Sequence, residues 1–166
     1  MLFLAQCRPA TPAPATPESQ LPPATQTGAH TFGCLLNGQP WTPSSNYGVA
    51  NYRLIYDPAY AGGDLEVRIY RLNQTVNQYF LINSTQINKA GSYYLNGITS
   101  GIYYSTGVKG PCYEYNNSAG AATQGQLIIT KLDLAAGIVS GTFAFRLWQP
   151  GCDTVKVTAG RFDYKL

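Results

Sequence analysis

From Thr31 to the C-terminus the apolar residues recur every second position, and this alternation leaves little room for anything but β-strands. In Asp64–Leu72 the side chains of Leu65, Val67 and Ile69 point one way while Glu66 and Arg68 point the other. Val139, Phe143, Phe145 and Leu147 share a face opposite Ser140, Thr142 and Arg146. Gln124–Asp133 makes another run, with Ile128, Ile129 and Thr130 at its centre. Val155 and Val157 continue the pattern, and Phe162 and Tyr164 resume it with the phase shifted at Gly160, where a bulge or bend is expected. No stretch carries a helical stripe.

Turn chemistry cuts these runs short. Asn37-Gly38, between Phe32–Leu36 and Gln39–Thr42, is a strong two-residue hairpin signal, and Pro40 sends the second strand to a sheet edge. Ala61-Gly62-Gly63, Asn96-Gly97, Lys109-Gly110-Pro111, Asn117–Gly120 and Pro150-Gly151 mark further turns. Many short strands with frequent turns predict an all-β chain: an antiparallel β-sandwich, or alternatively a β-barrel, of about 9–11 strands in one domain over residues 30–166.

Only 11% of residues are charged, and the eleven basic ones are scattered singly, so the electrostatic footprint of a nucleic-acid binder is missing. The four cysteines, Cys7, Cys34, Cys112 and Cys152, show no CxxC or Cys/His spacing, so no metal site is expected. Cys112 follows Gly110-Pro111 and Cys152 follows Pro150-Gly151, each just past a turn; a disulfide between them is the expected pairing. Cys34 shares a strand face with Phe32 and Leu36, which reads as core.

The N-terminus reads differently. Met1–Cys7 is a short apolar run ending at a cysteine, resembling the end of a bacterial lipoprotein signal, although Gln6 stands where a small residue is usual. Cys7 is then the expected lipidation site. The Pro/Thr-rich segment beginning at Arg8 has no hydrophobic period, and residues 8–29 are expected to form an unfolded, extended tether.

Several short motifs arrive in order along the domain: TFGCLLNG from Thr31, ITKLD from Ile129, IVSGTFAF from Ile138, PGCDTVKVT from Pro150 and GRFD from Gly160. In these the chain resembles a family of uncharacterised β-rich lipoproteins of Bacteroidota. The resemblance implies a lipid-anchored β-sandwich in the cell envelope, in the periplasm or at the outer membrane. It brings no catalytic residue, cofactor or ligand with it.

Chemistry is sparse. The single histidine, His30, falls where the expected tether meets the first strand and reads as an exposed boundary residue. Asp64 and Glu66 share a face with Arg68, which reads as a solvated charge ladder rather than a catalytic carboxylate pair. Asp57 and Asp64, with two glycines between them, are a weak calcium-loop pattern better read as a hairpin loop.

Tyrosine, present 13 times, is the unusual resource. Tyr93-Tyr94 and Tyr103-Tyr104 are expected on adjacent strands with Tyr113 and Tyr115 alongside, so one face would carry a row of rings. Such a row suits either cross-strand packing or a binding surface. The expectation is a non-enzymatic envelope module serving structure or protein interaction, with carbohydrate binding through these tyrosines as the alternative and an enzyme of unfamiliar design as a further one.

Overall fold

In a computed structural model, residues 16–44, 48, 50–72, 75, 77–116 and 120–166 are described. Among them are eleven strands: β1 (Thr31–Leu36), β2 (Gln39–Trp41), β3 (Tyr52–Asp57), β4 (Asp64–Leu72), β5 (Asn77–Ser84), β6 (Gly91–Leu95), β7 (Ser100–Ser105), β8 (Glu114–Tyr115), β9 (Ala122–Asp133), β10 (Ile138–Trp148) and β11 (Val155–Lys165). They form two antiparallel sheets, ordered β2-β1-β11-β10-β9-β6 and β3-β4-β5-β7-β8. Each sheet keeps two edges, so the fold is a sandwich and not the alternative barrel. No helix among the described residues is long and apolar enough to cross a membrane.

The alternation places side chains as the sequence predicts. Leu65, Val67 and Ile69 of β4 join Leu127 and Ile129 of β9 and Val139, Phe143, Phe145 and Leu147 of β10 in one buried cluster. Aromatic rings bridge the sheets: Trp41 meets Phe80 edge-on at 5.0 Å, and Phe32 lies 5.6 Å from Tyr52. Pairs of this kind contribute about 0.5–1.5 kcal/mol beyond the area they bury. Cys34 lies fully inside this core, and burial pushes its thiol up to about 12.

Local signals also hold. Asn37 and Gly38 both adopt positive φ, 50° and 81°, as a two-residue hairpin turn with the twist of the flanking strands requires. Pro40 lies on β2, at a sheet edge. The phase shift at Gly160 is a bulge, seen as a break in the β10–β11 register between Phe143 and Phe145. A Cβ on Gly160 would lie 2.4 Å from the Phe143 ring, so only glycine lets that ring close against β11.

The disulfide joins Cys112 to Cys152, with Cα atoms 5.6 Å apart. It ties the turn before β8 in one sheet to the β10–β11 turn in the other. Beside it the Tyr115 hydroxyl donates to the Asp153 carbonyl at 2.8 Å, a second link between the same two places.

The segment expected as tether differs from that reading over its described part. Residues 16–29 lie against the domain. Thr16 caps one 3-10 turn, Pro17–Gln20, and Leu21 is buried. Arg161 donates to the Glu18 carboxylate at 2.6 Å, and Lys131 to the Gln26 carbonyl at 3.3 Å. The physical reason is one buried anion. Asp163, 1% exposed, accepts from the backbone N–H groups of Thr27, Gly28 and Ala29 at 2.9–3.0 Å. It also accepts from the hydroxyls of Thr25, at 2.6 Å, and Thr27, at 3.3 Å. A polar, proline-rich segment with no apolar period is therefore fixed by a carboxylate that lies more than a hundred residues away. Cys7 and residues 8–15 fall outside the described residues.

Candidate functional site: a tyrosine groove

Alternation sends neighbouring tyrosines to opposite faces, and the structure adds that the pairs belong to different sheets. Tyr93-Tyr94 is on β6, at the edge of the six-stranded sheet; Tyr103-Tyr104 is on β7, in the five-stranded one. The chain switches sheets at the corner between them, where the buried Ser100 hydroxyl accepts from Asn96 N–H at 3.0 Å. The expected row, drawing one ring of each pair from adjacent strands with Tyr113 and Tyr115 alongside, is therefore not formed between Tyr93-Tyr94 and Tyr103-Tyr104.

These six residues divide by environment. Tyr104 and Tyr115 are core: Tyr104 stacks on Phe80 at 4.4 Å, and its hydroxyl accepts from the Gln78 amide at 3.1 Å. Tyr93 is half-buried, its hydroxyl donating to the Lys89 carbonyl at 2.7 Å. Tyr94 points outward from the other sheet, 76% exposed. Tyr104 and Tyr115 meet inside the core, their rings 6.2 Å apart, and on the outer face Tyr103 and Tyr113 come together.

They meet beside two tyrosines that the sequence reading passed over. Tyr70 and Tyr79 are opposed across β4 and β5, their rings stacked at 4.7 Å, and Tyr103 lies 5.5 Å from Tyr79, tilted by 53°. These outer-face rings, with Tyr113, Leu72, Asn77, Gln78 and Ser105, line an open groove of about 390 Å³. Tyr70 and Tyr79 sit where the alternation of β4 and β5 requires. The available signal was the pairing of those two strands, which places the lone tyrosine of each opposite the other.

Partial burial shapes the groove's electrostatics. It pushes the Tyr79 phenol up to about 12, with the nearby Tyr70 adding to the rise and Arg68 opposing it. Tyr103 is also raised, by burial first and then by its hydrogen bond to Glu114. The Tyr79 and Tyr103 phenols therefore stay neutral at physiological pH, and the groove presents apolar ring surface next to hydroxyl and amide dipoles.

The acidic residues singled out from sequence are engaged elsewhere. Glu66 forms an ion pair with Arg68. Asp64 accepts from the Asn83 amide at 2.9 Å, and Asp57 accepts from the N–H groups of Ala59 at 2.9 Å and Tyr60 at 3.3 Å as its hairpin loop requires. Among the described residues no group of three or more His, Cys, Asp or Glu side chains is placed to hold a metal ion. His30 is exposed, but it is not on a loose segment: its ring lies 4.5 Å from Tyr164 and 5.1 Å from Tyr52.

Comparison with protein-family models, with curated proteins and with solved structures yields no match to this chain.

Proposed function

We propose that this chain is a non-enzymatic recognition module of the cell envelope, attached to the membrane through a lipid on Cys7, that binds a neutral glycan in the tyrosine groove. The observation that carries the reading is the contact of Tyr70, Tyr79 and Tyr103 on an outward sheet face, with Asn77 and Ser105 lining the same groove. A sugar ring has an apolar face of C–H groups and a rim of hydroxyls. Phenol rings match the first, and neutral amides and hydroxyls match the second without a charge to desolvate. The groove is open along its length, which suits a polymer rather than a small enclosed ligand.

Support for the envelope comes from the apolar run ending at Cys7 and from the exported-protein chemistry of the Cys112–Cys152 disulfide. Labelled-palmitate incorporation, lost in Cys7→Ser, tests the anchor. The glycan is tested by affinity electrophoresis of the whole protein through gels containing neutral soluble polysaccharides. Retardation by at least one polymer, abolished in Tyr79→Ala, supports the reading. Unretarded migration across the series retires it.

A further inference from the structure

The outer face of the six-stranded sheet carries a different kind of surface. Directly opposed across β10 and β11 are two cations, Arg146 and Lys156, both exposed. Like charges facing each other on a sheet destabilise it. Arg53 and Arg68 are opposed in the same way on β3 and β4, and there Glu66 binds Arg68. Arg146 and Lys156 form no ion pair with any carboxylate among the described residues.

The Arg146 guanidinium is nevertheless held in place. Its Nε and Nη2 both donate to the Gln124 amide oxygen, and its carbon centre lies 5.7 Å from the ring of Trp148, which is 40% exposed. Gln124, Arg146, Trp148, Thr154 and Lys156 together line an open depression of about 400 Å³. At the other end of this face the N-terminal segment covers the sheet, and there Arg161 is paired with Glu18 and Lys131 with Asp133. Arg146 and Lys156 thus stand as two directly opposed cations beside an exposed indole, with no carboxylate paired to either among the described residues.

We propose that this spot is a binding site for an acidic polysaccharide, one uronate residue placing its carboxylate between Arg146 and Lys156 and its ring beside Trp148. The anion supplies the missing counter-charge, Gln124 and Thr154 offer partners for sugar hydroxyls, and the indole offers an apolar edge. Two cations are too few for a phosphate polymer bound by charge alone. The site lies on the opposite sheet from the tyrosine groove and stands whether or not that groove holds a glycan.

The test uses intrinsic fluorescence. The chain has two tryptophans, and Trp41 is 1% exposed, so a change on adding a ligand reports Trp148. The whole protein is titrated with a galacturonate oligomer, with the neutral galactose oligomer of equal length, and with single-stranded DNA. The expected result is a saturable change with galacturonate alone, weakened about tenfold in Arg146→Gln and in Lys156→Gln and reduced by added salt. As a folding control, Lys156→Gln removes a like-charge contact and should leave the unfolding midpoint unchanged or raise it by about a degree. No response to galacturonate, an equal response to the neutral oligomer or to DNA, or undiminished binding in Arg146→Gln would each overturn the proposal.

Discussion

Ser140 and Asp163 face each other across β10 and β11, and the buried serine hydroxyl donates to the Asp163 carboxylate at 2.7 Å. That bond aims the carboxylate at the incoming N-terminal segment, whose three successive N–H groups and two threonine hydroxyls complete its shell. Burial alone would raise the acid's pKa. The hydrogen bonds from Thr25, Ala29, Ser140 and Thr27 outweigh it and hold Asp163 well below the usual carboxylate range.

Replacing Asp163 with Asn keeps the shape but turns half of this acceptor into a donor facing donors. The expected cost is about 3 kcal/mol, since charge-assisted bonds are exchanged for mismatched ones. Residues 16–29 should then become sensitive to proteolysis, which limited digestion with mass spectrometry reads directly.

The same carboxylate sets an acid dependence. Its folded-state pKa is depressed, so the stability it contributes is fully present above the unfolded value of about 4 and declines as pH falls below it. The unfolding midpoint should therefore drop more steeply between about pH 4 and pH 2 in the wild type than in Asp163→Asn. Parallel curves for the two proteins would contradict this role.

Reducing the Cys112–Cys152 bond frees a closed segment with a sequence separation of 40. By chain entropy the loss is about 3–4 kcal/mol. Cys152→Ser should lower the thermal midpoint by roughly 5–15 °C, with Cys34→Ala as the contrasting core variant that leaves the disulfide intact.

Gly160→Ala tests the bulge. A methyl group there meets the Phe143 ring, and overpacking of this kind costs about 1–3 kcal/mol. The variant should unfold at a lower denaturant midpoint, and Gly160→Ala combined with Phe143→Leu should recover part of the loss.

Much of the architecture was legible from local chemistry. Asn37-Gly38, Pro40, Gly160 and the alternation in β4 and β10 each act within one or two strands, so their consequences can be read from neighbouring residues. The placement of Tyr93-Tyr94 and Tyr103-Tyr104 was not, because period-two patterning fixes which face a side chain takes and says nothing about which sheet its strand joins. Tyr70 and Tyr79 were missed for the same reason, as they become neighbours only through the β4–β5 register. The fate of residues 16–29 hinged on Asp163, a lone acid near the other end of the chain, and composition cannot reveal a partner at that distance.

The tyrosine groove is tested most directly by following backbone amide resonances of the isotope-labelled protein during titration with fragments of a neutral polysaccharide that retards it. Shifts should cluster on Tyr70, Tyr79, Tyr103 and Tyr113 and saturate at an affinity on the order of 0.1 mM, about −5.5 kcal/mol. They should vanish in Tyr103→Ala while Tyr94→Ala behaves as wild type. Shifts centred on Tyr94 or the β2 edge, or none at all, would contradict the assignment of this face.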